Sequence, residues 1–261
     1  MRHLWSFDPL LSLSGFLIGL LVGQTGMGGG SLMTPILVLL FGVHPATAVG
    51  TDLLYASVTK TAGAAVHGFH HTVNWRIVGL LACGSVPATA LTLLVLSRFD
   101  LDTKAANDVI SVVLGLMLVL TALGLVFRDR LLAAFGGGSD GPPRRVAALT
   151  VATGVALGAL VTVSSVGAGA IGVTVLLLLY PRLPMAVIVG SDIAHAVPLT
   201  LVAGIGHWWL GSVKWPMLGG LLSGSVPGIV LGSAIAVRVS PVVLQRVLAV
   251  TLVVVGGRMV F

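Results

Sequence analysis

The sequence predicts an all-α integral membrane protein. Three observations lead there: 56% of the 261 residues are hydrophobic, only 8% are charged, and mean hydropathy is +1.09, far above that of water-soluble chains. Apolar segments recur from Leu10 to Phe261 without a polar stretch long enough to bury a core of its own. One membrane domain over residues 1–261 is expected, with no soluble enzyme domain attached. The N-terminal run LSLSGFLIGLLVG has no small-residue cleavage pattern behind it and reads as the first membrane segment. The single cysteine, Cys83, excludes an intrachain disulfide framework and a multi-cysteine zinc site, and it reads as a small packing residue. The formal net charge of +6 is spread over short loops as anchoring arginines would be, so nucleic acid is not an expected partner.

Glycine, proline and charged residues divide the chain into ten apolar segments, at about 10–24, 29–42, 45–69, 75–97, 106–127, 146–164, 169–180, 185–209, 215–237 and 241–260. At a rise of ~1.5 Å per residue, segments 29–42 and 169–180 reach only ~18–21 Å, short of a ~30 Å hydrocarbon core. Each follows a glycine-rich break, GMGGG at 26–30 and VGAGA at 166–170. Each is therefore expected to pair with the segment before it as a re-entrant-like hairpin, with full-length transmembrane helices following.

The pattern occurs twice. VGTD at 49–52 returns as VGSD at 189–192, a displacement of 192 − 52 = 140 that holds without gaps to Pro87 and Pro227. Thirteen of those 39 positions are identical, among them Asp52, His67, Trp75 and Pro87 with their counterparts. Roughly a tenth would match by chance, so the chain reads as a duplication. Repeat 1 covers about 8–127 and repeat 2 about 146–261, joined by a linker at 128–145 that carries Arg128, Arg130, Arg144 and Arg145. That cluster places the linker in the cytoplasm. If each break forms a re-entrant hairpin, each half crosses the membrane an odd number of times and the repeats are inverted. If a hairpin acts as one broken span, they are parallel.

Two kinds of residue are candidates for function. A helix that starts at mid-membrane depth has unpaired backbone N–H groups and a positive dipole end, and glycine leaves room for an oxyanion to approach both. Gly26, Gly28, Gly29, Gly30 and Ser31 fit that description in the first break, and Gly167 and Gly169 in the second. The plainer reading is that these glycines only allow close helix packing. The second group is a polar stripe: at 100° per residue, Asp52, Lys60 and His67 fall within ~80° of one another on one helix face. Asp52 recurs as Asp192 and His67 as His207, but Lys60 becomes Thr200. The repeated acids read as caps of broken backbone or clamps between helices, with proton coupling as the alternative. The unrepeated lysine reads as an attractor for an anion, or as a partner for Asp52. His195, three residues after Asp192, suits a hydrogen-bonded pair with that acid. Trp75 and Trp215 read as interfacial anchors, and His70 and His71 as loop residues.

With these residues in view, the chain resembles the TauE/SafE family of sulfite and organosulfonate exporters, within a wider family of four-span-repeat anion transporters. The resemblance rests on the Gly26–Gly30 break followed by SLMTPIL, on AVGTDLL, His67–Gly68, Asn74–Trp75 and the GSVP turn, with weaker echoes in the second half. The second copy departs from it: VGAGAIG has fewer glycines, and no proline stands at the position of Pro35. The resemblance implies a secondary transporter, in the exporting direction, of a small anion such as sulfite or a sulfonate. It implies a multi-pass location in the cell inner membrane, no cofactor and no catalytic residues. No nucleotide motif is present, so a gradient would drive transport. A homo-oligomer is compatible with this reading. A metal or cation carrier would need more converging ligands than Asp52, Asp192, His67, His195 and His207 provide. An intramembrane serine hydrolase would use Ser85 or Ser225 without a recognisable nucleophile motif. Reporter fusions within 128–145 are expected to report a cytoplasmic loop, and alkaline phosphatase activity there would overturn the orientation.

Overall fold

The computed structural model describes residues 9–25, 30–99, 101, 103–135, 143–167, 169–235 and 241–260, and these form α-helices joined by short turns. The helices are α1 (Pro9–Thr25), α2 (Gly30–Leu39), α3 (Pro45–Phe69), α4 (Trp75–Leu96), α5 (Lys104–Phe135), α6 (Pro143–Ser164), α7 (Ala170–Leu179), α8 (Met185–Trp209), α9 (Trp215–Ile235) and α10 (Pro241–Val260). Four stretches among the described residues are long and apolar enough to cross a membrane: Trp75–Leu96, Lys104–Phe127, Arg144–Ser164 and Met185–Trp209. The chain is an all-α, multi-pass membrane protein. Helices α2 and α7, at 10 residues each, are the short ones expected behind the glycine breaks.

Local chemistry sets the helix starts. Proline opens α1, α3, α6 and α10, where its missing N–H costs nothing and its fixed φ suits the first turn. Asn74 caps α4, its Oδ1 accepting from the N–H groups of Arg76 and Ile77 at 3.2 and 3.3 Å. After α3 and α8 the chain turns through left-handed residues at matching positions, His71 (φ 54) and Gly211 (φ 76). The starts of α2, α3 and α4 return in α7, α8 and α9 at the displacement of 140 seen in the sequence.

Close contacts fix the helix directions. Gly50, near the start of α3, lies against His207 and Ser212 at the far end of α8, whereas Gly190, near the start of α8, lies against His67 and Thr72 at the far end of α3. These two helices therefore cross antiparallel, with Gly204 seated on Leu54 between those points. The outer pairs are parallel. Gly15 and Gly19 of α1 meet Leu221 and Ser225 of α9, and Gly154 and Gly158 of α6 meet Leu81 and Ser85 of α4. Four-residue spacing puts each glycine pair on one helix face and lets the backbones approach, the usual device where lipid gives no hydrophobic drive for association. Contacts between the halves are reciprocal: α1 packs on α9 as α6 packs on α4, α2 touches α10 as α7 touches α5, and α3 meets α8 at the centre.

The turns clasp the opposite half in the same reciprocal way. The Asn74 N–H donates to Ser191 Oγ at 2.8 Å and the Lys214 N–H donates to Thr51 Oγ1 at 3.2 Å. Both donors and both acceptors are 140 apart. Trp75 and Trp215 are exposed at the helix ends, 70% and 51% accessible, where anchors would sit. Cys83 departs from expectation. It is exposed on the outer face of α4, because Gly84 next to it takes the face that packs on α6.

These contacts separate two classes of glycine. Gly84→Val would drive methyl groups into the backbone of α6 and is expected to destabilise the protein by about 1–3 kcal/mol. Gly79→Val, one turn away with open space beside it, should leave thermal stability in detergent nearly unchanged. Equal melting shifts for the two variants would contradict this packing.

Candidate functional site

The buried polar groups gather along the α3–α8 crossing. Asp52 and Lys60 project from α3, Asp192 and His195 from α8, and none of the four is more than 7% exposed. A single α-helix does carry Asp52, Lys60 and His67, but the stripe divides. Asp52 and Lys60 lie inside, while His67 sits near the helix end with its Nδ1 hydrogen-bonded to Thr72 Oγ1 at 2.8 Å. Its counterpart His207 is buried, and its Nε2–H donates to the Thr162 carbonyl at 2.8 Å. Both histidines belong to the clasps, since Gly190 packs on His67 and Gly50 on His207.

Asp52 joins three elements. Its Oδ2 accepts from Thr34 Oγ1 of α2 at 2.5 Å and from Ser165 Oγ of the second break at 2.8 Å. The backbone N–H of Thr34 donates to the same carboxylate. The acid of repeat 1 thus holds the first turns of α2 and the chain leaving α6, which belongs to repeat 2. Asp192 is placed alike at the start of α7, where its Oδ1 lies so close to Gly172 that any side chain there would collide with it. That oxygen has no hydrogen-bond partner among the described residues, nor has Asp52 Oδ1.

The second break shows how such a helix start is made. Ser165 (φ 59), Gly167 (φ 113) and Gly169 (φ 127) all lie in the left-handed region, so the chain unwinds after Ser164 and begins α7 at Ala170. Gly169 gives α7 no side-chain cap. In the first break Gly26, Gly28 and Gly29 lie outside the described residues, Gly30 opens α2, and Ser31 is described by its backbone alone.

Lys60 interacts electrostatically with Asp192 first and with Asp52 second, so its stronger partner is the acid of the other repeat, not its helix neighbour Asp52. His195 does not pair with Asp192. Its Nε2 is hydrogen-bonded to Ser85 Oγ of α4 at 2.8 Å, and its Nδ1 has no partner among the described residues. Ser85 and His195 are both fully buried, and the contact ties α4 to α8. At the matching place in the other half stand Ser225 and Tyr55. Thr34, Ser165 and Ser85 were not among the expected binding residues. The traceable signal is repetition: Thr34 returns as Thr174, and Ser165 stands where the first half has Thr25, a hydroxyl in both. No group of three or more His, Cys, Asp or Glu that could hold a metal ion occurs among the described residues.

Ser165 offers a test of the Asp52 junction. Ser165→Ala and Ser165→Gly both delete the hydrogen bond to the carboxylate, but only glycine relieves the left-handed backbone. The glycine variant is expected to be more stable than the alanine variant by about 1 kcal/mol in thermal unfolding. Equal stability would mean that the φ at this position carries no strain.

Comparison with known proteins agrees with this architecture. Residues 11–259 match the family model described as Sulfite exporter TauE/SafE. The probable membrane transporter protein YjnA of Bacillus subtilis is 38% identical over 251 residues, covering 95% of this chain and 98% of its own. YdhB of the same organism, with the same description, is 26% identical over 97% of this chain and 100% of its own. A probable membrane transporter protein of Xylella fastidiosa is 25% identical over 87% of this chain and 84% of its own. No solved structure matches the chain significantly. A membrane-embedded bundle with buried charge at its central crossing, matched across nearly its whole length, belongs to the Sulfite exporter TauE/SafE family of membrane transporters.

Proposed function

We propose that this protein is a secondary transporter of the cytoplasmic membrane that exports a small oxyanion of the sulfite or organosulfonate class. Its two halves act as inverted repeats that rock about the α3–α8 crossing. The antiparallel pairing of α3 with α8 supports the inverted arrangement, because these helices hold the same place in the two halves. The family supports transport of a small molecule across a bilayer.

The observation that carries the anion reading is where the two aspartates sit. Asp52 accepts from Thr34, the fifth residue of α2, and Asp192 stands beside Gly172, the third residue of α7, so each carboxylate lies near the start of a half-length helix, where the positive dipole end favours an anion. The chain's own carboxylates thus stand in for an oxyanion at α2 and α7. Charge counting gives the next step. One cation, Lys60, faces two carboxylates, so the ionised cluster carries 1 − 2 = −1. Adding an oxyanion to a buried cluster that is already negative is costly. Binding is therefore coupled to proton uptake by an aspartate, which frees the helix start and leaves Lys60 to attract the substrate; anion and proton cross together, so export runs on the outward gradient of the anion. Gly26, Gly28, Gly29, Gly30 and Ser31 on one side, and Gly167 and Gly169 on the other, give the substrate access to the backbone.

Uptake into proteoliposomes tests the reading. Sulfite or a taurine-like sulfonate is expected to move in response to an imposed pH gradient, with sulfate and small carboxylates as comparisons. Lys60→Ala should weaken substrate binding strongly, and Lys60→Arg should restore it only in part because the guanidinium is larger and planar. Asp192→Asn removes one negative charge without changing shape. It should preserve anion exchange at equal concentrations but abolish accumulation driven by the pH gradient. Unchanged accumulation in a well-folded Asp192→Asn protein would remove this acid from the coupling. Movement of divalent cations instead of anions would overturn the substrate class.

A further inference from the structure

Outside the central crossing, a cleft of about 310 Å³ opens at the end of the bundle where α4 and α6 begin and α7 ends. Arg76 and Arg182 line it together with Ile77, Leu80, Val146 and Leu179. Both arginines are exposed, while Ile77 is buried and the other three apolar residues are partly so. The combination selects a ligand. Two guanidinium groups on one cleft match the geometry of a phosphate, which each can hold bidentately. Apolar walls of this extent offer nothing to a small hydrophilic oxyanion, but they suit the hydrocarbon attached to a phosphodiester.

Symmetry sharpens the choice. The counterpart of Arg76 at 76 + 140 = 216 is Pro216, and that of Arg182 at 182 − 140 = 42 is Gly42. The cationic pair therefore exists at one end of the molecule only, the end that also carries Arg144 and Arg145 at the start of α6. With the orientation proposed above, that end meets the cytoplasmic leaflet, where anionic lipids concentrate and where basic pockets between transmembrane helices bind their head groups. We propose that this cleft is a binding site for an anionic glycerophospholipid, with the phosphate between Arg76 and Arg182 and the first acyl methylenes against Ile77, Leu80 and Leu179. A lipid bound there bridges α4, α6 and the α7–α8 turn, in a region where α4 packs on α6 and α8 and α6 on α7.

The experiment uses the full-length protein in nanodiscs of phosphatidylcholine alone or mixed with phosphatidylglycerol, then measures by mass spectrometry the lipid retained on transfer to detergent. Phosphatidylglycerol is expected to be retained over phosphatidylcholine. Arg76→Gln and Arg182→Gln should each weaken that retention about fivefold, as loss of one interfacial charge implies. Arg76→Lys, which keeps the charge but loses the fork, should fall between the wild type and Arg76→Gln. The paired change Arg144→Gln with Arg145→Gln lies outside the cleft and should leave retention unchanged. An equal loss in that pair would show attraction by overall surface charge and overturn the site, as would an absence of preference between the two lipids. Displacement of the lipid by millimolar inorganic phosphate, with equal thermal protection by phosphate alone, would assign the arginines to a soluble anion instead. None of these outcomes depends on whether sulfite is the transported substrate.

Discussion

A helix that begins within a packed membrane bundle has backbone N–H groups that need acceptors, and the junctions at α2 and α7 are arranged around that need. The need arises twice, at α2 and at α7. Ordinary caps do not meet it: Gly169 has no side chain to offer, and its φ of 127 is one that a capping residue with a Cβ would adopt only under strain. At α2 an acceptor comes from a neighbouring helix, and at α7 a carboxylate stands nearby whose Oδ1 has no hydrogen-bond partner among the described residues. Asp52 on α3 reaches α2, and Asp192 on α8 lies against α7. Those carboxylates arrive in place only because α3 and α8 run through the middle of the bundle, and these two helices approach closely only because Gly50, Gly190 and Gly204 remove the side chains between them.

Solving the backbone problem in this way creates an electrostatic one. Two carboxylates buried at 0% and 1% exposure need a counter-charge, and Lys60 supplies a single one. A buried charge costs on the order of 3 kcal/mol even on lenient insertion scales, so two carboxylates beside one lysine form a costly cluster. A scaffold that only had to be stable would do better with neutral caps, as replacing buried ion pairs by well-packed apolar groups often shows. The retained charge is the feature on which the proposed function rests.

Much of this was legible in the sequence, for a physical reason: membrane helices are long, apolar and punctuated by glycine and proline, so their number and limits follow from composition. The ten segments correspond closely to the helices, and the 140-residue displacement read from VGTD and VGSD is the spacing of helix starts in the two halves. What resisted reading was partnership. Nothing in the local pattern says that His195 should bond to Ser85, 110 residues away, in preference to Asp192 on its own helix face. Sharing a face at a spacing of three brings Cβ atoms near each other, but the direction of each side chain is decided by the helix packed opposite. Lys60 went the same way, toward Asp192 across the crossing. Ser165 was missed although a hydroxyl residue, Thr25, stands at its matching place, because its role depends on a left-handed residue following α6, and serine carries no mark of that conformation.

The repeat also separates scaffold from function by what it fails to repeat. Several positions identical in both halves serve the clasps and close approaches: Gly50 with Gly190, His67 with His207, Gly84 with Gly224. Around the aspartates the halves diverge, with Lys60 opposite Thr200 and Tyr55 opposite His195. The divergence is one-sided in its effect. Lys60 has Asp192 as its stronger electrostatic partner, whereas Asp52 is met by the hydroxyls of Thr34 and Ser165. One acid is held by hydroxyl donors and the other faces a lysine. The two matched aspartates therefore have unequal surroundings, and under the proposed function it is this inequality that would give the crossing a direction.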